Sequence, residues 1–197
     1  MSYTAFRGGR GIFKRNMKLD EKKLSSRIAY DGKILRLTVD DVELPDGSRS
    51  VRECVRHSGG AAVLCVIKDR VLLVKQYRYL YGKAIYEIPA GKAEEGEEPS
   101  KAAARELEEE TGYVAGELLP LLKLYPSPGY TDEVIYVYLA KNCRLNLQKL
   151  DDGEFLEVKL LKLDEVFQMI EGGEIADAKT VAAVYKYLYL KAIGAEV

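Results

Sequence analysis

The chain has 197 residues, 47% of them apolar and 31% charged, a balance that excludes a disordered polymer, a collagen-like fibre and an integral membrane protein. Thirty Lys and Arg against 31 Asp and Glu give a net charge of −1, which argues against a nucleic-acid or membrane-surface protein. Three cysteines are too few and too odd in number for a disulfide framework, so a soluble, cytoplasmic globular protein is expected.

Residues 1–22 read as a basic tail, in which Arg7, Arg10, Lys14, Arg15 and Lys18 precede the first acid, Asp20. No apolar run approaches the ~20 residues that cross a bilayer, and the tail lacks the apolar middle of a signal peptide. A solvated arm is its simplest reading; a phosphate-facing arm and a targeting stretch are the alternatives. Residues 23–58 read as a small antiparallel β module. Leu35 to Asp40 alternates as a half-buried strand should, Leu44-Pro45-Asp46-Gly47-Ser48 is a turn, and Val51 to Val55 resumes as a strand.

Ser58-Gly59-Gly60 then punctuates the chain, and residues 59–197 have a different texture. The apolar runs Ala61–Ile67 and Val71–Val74, joined by Lys68-Asp69-Arg70, predict a hairpin inside a buried sheet. Ala84–Ile88 predicts a strand ending at Pro89-Ala90-Gly91. Pro99 to Thr111 is the clearest helix, with Pro at the first helical position, three consecutive alanines and Gly112 at its end. Strands are predicted at Leu121–Tyr125, Val134–Leu139 and Phe155–Leu161, and helices at Leu163–Ile170 and Lys179–Ile193. Many strands with few helices predict an α+β arrangement, not a doubly wound parallel sheet.

The chemistry is concentrated in residues 91–113, where eight glutamates oppose Lys92, Lys101 and Arg105. With Glu106 at zero on a helical wheel, Glu110 lies near about +40° and Glu109 near about −60°, so three carboxylates share one arc. Glu108 falls near the opposite side, and Leu107 with Ala103 and Ala104 is expected to face a core. Like charges at this spacing repel, which is tolerable if a hard divalent cation sits among them; Mg²⁺ suits carboxylates together with phosphate oxygens and water. Arg105 can pair with Glu109 or with Glu97 of the preceding loop. Without such a cation, a glutamate-rich helix would be read as a solvated face.

Gly91, Glu97, Arg105, Glu106, Leu107, Glu109, Glu110 and Gly112 match in register the signature of the Nudix hydrolase family, and Tyr113 stands where an aliphatic residue is commoner. The flanks Val74-Lys75-Gln76-Tyr77-Arg78, Tyr86-Glu87-Ile88-Pro89-Ala90-Gly91, Ser127-Pro128-Gly129 and Asp152-Gly153-Glu154-Phe155-Leu156-Glu157-Val158 resemble its ADP-ribose pyrophosphatase branch, as do Val42–Gly47 and Val51-Arg52-Glu53. The resemblance implies the Nudix fold, an α/β/α sandwich with a mixed sheet, preceded here by the β module, which in such relatives mediates a homodimer. It implies Mg²⁺-dependent hydrolysis, with Mn²⁺ as a substitute, of ADP-ribose to AMP and ribose 5-phosphate. The alternatives are another nucleoside diphosphate derivative (sugar nucleotide, dinucleotide or oxidised nucleotide) or a non-catalytic nucleotide sensor.

The same resemblance implies roles. Glu106, Glu109, Glu110 and the Ala90 carbonyl are the expected metal ligands, and Glu97 with Arg105 orients the helix. Glu154 is the candidate general base, with Glu157 or a glutamate of the helix as alternatives. Arg27, Arg52, Arg78, Glu87, Pro128, Gly129 and Glu133 are the expected substrate-binding residues. His57, the single histidine, reads as structural, and Cys54, Cys65 and Cys143 as small core residues. Tyr185 and Tyr189 are expected to pack the last helix.

Overall fold

The computed structural model describes residues 18–150 and 153–196, so Arg7, Arg10, Lys14 and Arg15 of the basic tail, and Asp151 and Asp152, lie outside the described residues. The first sheet is antiparallel and three-stranded, β1 (Lys22–Asp31), β2 (Arg36–Glu43) and β3 (Arg49–Arg56) in that order. The predicted turn closes β2 onto β3: Gly47 N donates to Leu44 O at 2.9 Å, and Asp46 Oδ1 accepts from Ser48 N at 2.9 Å. On β2, Thr38, Asp40 and Val42 alternate inward and are buried. Asp40 accepts from Ser26 Oγ at 2.6 Å and Arg56 Nη2 at 2.8 Å. All ten residues of β1 are exposed, so pairing with β2, not burial, makes it a strand.

The second sheet runs β12-β5-β4-β10-β9, with β6 on β5 and β7 on β4. Its strands are β4 (Gly60–Ile67), β5 (Arg70–Arg78), β6 (Lys83–Glu87), β7 (Ala90–Lys92), β9 (Glu117–Leu124), β10 (Ile135–Lys141) and β12 (Leu156–Lys162). Only the β4–β10 pair is parallel, so the sheet is mixed. A two-stranded ribbon of β8 (Tyr113–Val114) and β11 (Arg144–Leu145) lies off it. The helices are α1 (Pro99–Thr111), α2 (Leu163–Glu171) and α3 (Ala178–Ala192).

β4 explains the layering. Its continuous apolar run feeds both faces: Ala62 and Leu64 pack with Val166, Ala183 and Val184 of α2 and α3, while Ala61, Val63 and Cys65 pack with Ala102, Ala103 and Leu107 of α1. The result is the α/β/α sandwich that the resemblance implies. Two expectations need correction. Ala104 is exposed, because it lies about 100° beyond Ala103 and so turns away from the sheet. Tyr189 is exposed at 58%; Tyr185 packs α3 edge-on against Phe167 of α2, with ring centroids 5.9 Å apart, while the tyrosine buried beneath α3 is Tyr187, which shares a face with Ala183 and Val184. Among the described residues, no helix is long and apolar enough to cross a membrane.

β3 runs into the second sheet through the loop before β10. Val55 N donates to Tyr130 O at 2.7 Å, Asp132 N donates to Val55 O at 3.2 Å, and Arg56 Nη1 meets Asp132 Oδ2 at 3.2 Å. This seam carries the chain from the small sheet to the cleft.

Candidate active site

The cleft is built where α1 meets β7. Pro99 starts α1 and Gly112 ends it at φ +73°, its N–H bonded to Glu108 O at 2.8 Å. A side chain at Gly112 would press on Gln148 N at 2.9 Å, because the loop after β11 folds back over this helix end. That loop also satisfies the last carbonyls of α1: Lys149 N donates to Glu109 O at 3.0 Å and Gln148 Nε2 to Glu110 O at 2.6 Å. Glu108, on the outer side, accepts from Asn146 Nδ2 at 2.7 Å.

Because Glu106 and Glu110 lie on the wheel beside Ala102, Ala103 and Leu107, the packing of that apolar stripe carries their carboxylates to the edge of the core. Gly91 admits Glu106: any side chain at Gly91 would overlap the Glu106 carboxylate. Glu110 is 3% exposed, and its Oε2 accepts from Ala90 N at 3.0 Å. Burial pushes the Glu110 carboxyl up to about 8, and the nearby charges of Glu154, Glu106 and Glu87 add to the rise. Burial raises Glu106 as well, against the opposing pull of Arg105.

Arg105 knits the helix to its approach loop. Its Nη1 donates to Glu106 Oε1 and Glu109 Oε2, both at 2.8 Å, and its Nε and Nη2 reach Glu97 Oε1 and Oε2 at 3.2 and 3.1 Å. Its Nη2 also donates to Lys92 O at 3.0 Å, and Glu97 accepts from Glu94 N at 3.0 Å. The Arg105 bonds hold the Glu97 carboxyl below the usual carboxylate range. One guanidinium thus serves three carboxylates and leaves Glu110 without a cation.

Among the described residues, no three acidic, histidine or cysteine side chains converge into a ready-made metal cage. The donor set still fits Mg²⁺. Glu106 and Glu110 offer hard oxygens on one ledge, Gly91 leaves space for the Glu106 carboxylate, and Glu110 is a buried carboxyl held by one backbone N–H and by no ion pair among the described residues. Mg²⁺ binds through one or two carboxylates, waters and phosphate oxygens, so it does not need a closed cage.

Glu154 lies in the loop before β12, with its Oε1 3.4 Å from Gln76 Nε2. Its charge weighs on both Glu110 and Glu106, so the fold brings it to the acidic ledge. Glu157 is exposed and pairs with Lys159 at 2.6 Å.

A cavity of about 270 Å³ opens along β7, lined by His57, Arg78, Ala90, Lys92, Glu133 and Lys179 among others. Arg78, at the end of β5, grips buried Glu87 side-on, Nε to Oε1 at 2.5 Å and Nη2 to Oε2 at 3.1 Å. Lys179 of α3 bonds the same Glu87 carboxylate. Burial alone would raise the Glu87 carboxyl, but Arg78 and Lys179 together hold it below its ordinary value. Glu133 faces His57, with Oε1 3.7 Å from Nδ1.

The fold therefore gathers Arg78, Glu87, Ala90, Glu97, Arg105, Glu106, Glu109, Glu110, Glu133 and Glu154 around one cleft. It does not bring Arg27 or Arg52 there within one chain. Arg27 is exposed on β1, and Arg52 on β3 is engaged with Glu21 at 2.9 and 2.5 Å. Pro128 and Gly129 are exposed on the loop that meets β3, where Ser127 O accepts from Tyr130 N and Thr131 N. Sequence reasoning missed Lys92 and Lys179 as lining residues; His57, read as structural, also borders the cavity while its Nδ1 accepts from Gly59 N at 3.0 Å. A lone lysine in the first turn of a helix gives no signal of its own; Lys92 could have been found from its place next to Gly91.

A mixed-sheet sandwich thus brings the glutamates of α1 and a cavity lined by Arg78, Lys92 and Lys179 to the same short strand, β7. Residues 56–184 match the NUDIX domain and residues 21–55 the nucleoside diphosphate sugar hydrolase N-terminal domain, and the chain belongs to the Nudix family. It is 45% identical over 176 residues to the ADP-ribose pyrophosphatase of Bacillus subtilis (strain 168), covering 88% of this chain and 95% of that protein. It is also 45% identical over 175 residues to a methanol dehydrogenase activator of Bacillus methanolicus, covering 87% and 94%. A solved structure described as an ADP compounds hydrolase shares the fold, with a TM-score of 0.78 and 22% identity over 88% of this chain and 96% of that one.

Proposed function

We propose that this chain hydrolyses the diphosphate of ADP-ribose to AMP and ribose 5-phosphate with Mg²⁺, Mn²⁺ serving in its place. The observation that carries the reading is a buried Glu110 carboxyl on the helix that meets β7, the strand that also lines a cavity with Arg78 and Lys179. The likeness to an ADP-ribose pyrophosphatase along nearly its whole length supports the substrate.

Each residue's task follows from its surroundings. Glu106 and Glu110, with Glu109 and the Ala90 carbonyl, would hold the metal, which when bound neutralises the diphosphate and makes the attacking water more acidic. Arg105 and Glu97 keep the helix and its loop in register, so that the ledge is formed before substrate arrives. Arg78, with Nη1 free of the Glu87 bonds, offers a phosphate oxygen two donors. Glu154, on a loop and within reach of the ledge, accepts the proton of the water. Glu133 faces the ribose end, and Pro128 and Gly129 shape the loop behind it. Arg27 and Arg52 reach a substrate only across a dimer.

A homodimer through the small sheet is part of the proposal. β1, the edge strand of the small sheet, leaves Leu24, Ile28 and Tyr30 exposed at 39%, 57% and 59%. The free cysteines Cys54, Cys65 and Cys143 support a cytoplasmic location.

A substrate panel resolved by chromatography tests the reading. AMP and ribose 5-phosphate from ADP-ribose, with the reaction abolished by EDTA, is the expected result. Faster cleavage of a sugar nucleotide or dinucleotide would move the substrate assignment, and binding without cleavage of any member would mark a sensor.

A further inference from the structure

Lys179 is the second residue of α3, and its side chain is 11% exposed, enclosed between Glu87 and Asp177. Burying an ammonium is costly unless anionic partners surround it, and here two do. The groups form a chain from helix to cleft. Asp177 caps α3 by accepting from Thr180 N at 3.0 Å and from Thr180 Oγ1 at 2.6 Å. Thr180 Oγ1 in turn accepts from Ile88 N at 2.8 Å. Lys179 joins Asp177 Oδ1, at 3.0 Å, to Glu87, and Glu87 grips Arg78 side-on.

The hydrogen-bond accounts of the acids and the bases differ. Every carboxylate oxygen of Glu87 and Asp177 is engaged. The cations keep donors in reserve: Arg78 bonds the protein through Nε and Nη2 only, and Lys179 uses two of its three N–H groups. Both side chains line the cavity that also holds Ala90 and Lys92. A purely structural anchor for α3 would need neither the spare donors nor the cavity wall.

We propose that Lys179 is a positioning residue for the anionic substrate: it locks Glu87, and through it the Arg78 guanidinium, and adds its own free N–H to the same phosphate. The inference rests on the reading that this cavity takes a diphosphate. It predicts that recognition depends on Lys179 while the chemical step, carried out at the α1 ledge, does not.

The test compares Lys179→Met, Lys179→Arg and Val184→Ala with the parent protein, in steady-state kinetics on ADP-ribose and in calorimetric titration of ADP-ribose into metal-free protein. Lys179→Met is expected to raise KM and the metal-free Kd roughly tenfold, the loss typical of one charged hydrogen bond, while kcat stays within about twofold. Lys179→Arg should recover most of the affinity, because it restores the cation. Val184→Ala loosens the core face of α3 and leaves Lys179, Asp177 and Glu87 in place, so it should lower Tm and leave KM near the parent value. Parental KM and Kd in Lys179→Met, or an equal rise in Val184→Ala, would overturn the inference. Should Lys179→Met fail to fold, Lys179→Gln, one atom shorter and uncharged, keeps a polar group at the position and carries the same expectation. A parent protein that binds ADP-ribose without cleaving it would refute the hydrolase reading, and the Kd comparison would still decide Lys179.

Discussion

Glu110 concentrates the physics of the site in one side chain. It is almost fully buried, it touches one backbone N–H, and the carboxylates of Glu154, Glu106 and Glu87 oppose its charge. Glu110→Gln keeps the shape and the hydrogen bond, so it should fold normally and cut kcat/KM on ADP-ribose by about 10³-fold or more, the scale of losing a preorganised electrostatic contact; a parental rate would remove Glu110 from the metal site. The same carboxyl sets a pH dependence. In the folded, metal-free protein it ionises near 8, against an ordinary value of 4.5. Between those values the folded state holds a proton that the unfolded state has released, so stability falls as pH rises through that window. Scanning calorimetry in EDTA should show Tm falling by several degrees from pH 5 to pH 8, at about 2–4 °C per kcal/mol for a chain of this size. Glu110→Gln should flatten the slope; an equal slope in both proteins would show that another group governs it. Glu154→Gln separately tests the proton acceptor, and a loss below about tenfold would assign that task elsewhere, since general-base catalysis contributes more. The glutamates were legible because helical spacing turns three sequence positions into one arc. Lys179 was not, because its partners Glu87 and Asp177 meet it only through the fold.

Elements decide how firmly that arc is held. α1 is fixed at its C-terminal end by the loop at residues 146–149, which leaves no space for a side chain at Gly112, already at φ +73°. Gly112→Ala should therefore cost about 1–3 kcal/mol, the range of a strained left-handed residue, and lower Tm accordingly; an unchanged Tm would mean the loop is free to move away. Most elements could be read from sequence: the β4–β5 hairpin from its apolar runs, and α1 from Pro99, its alanines and Gly112. β1 is visible only as part of a β-like stretch, because ten exposed residues carry no burial pattern. β7 was hidden for a different reason. Ala90-Gly91 has turn composition, yet pairing with Ala61 and Ala62 of β4 draws it into the sheet, and that pairing aims Ala90 N at Glu110.

At the scale of the molecule, two sheets share one seam, and the site lies beside it. Val55 and Arg56 of β3 bond the loop that precedes Glu133, so whatever holds the small sheet also holds the Glu133 side of the cleft. If the small sheet pairs across a homodimer, as its exposed apolar residues suggest, gel filtration should give twice the chain mass. Elution at the mass of one chain would contradict this and leave Arg27 and Arg52 without a route to substrate. The reach of a partner copy is what one sequence could not reveal, since neither arginine meets the cleft of its own chain. The most direct measurement of the central claim is Mn²⁺ binding followed by electron paramagnetic resonance, with and without a non-hydrolysable ADP-ribose analogue. The account predicts weak binding to the protein alone, tightening by about tenfold or more when the analogue supplies phosphate oxygens, with the gain lost in Glu110→Gln. Equal Mn²⁺ binding by parent and Glu110→Gln, with or without the analogue, would contradict it.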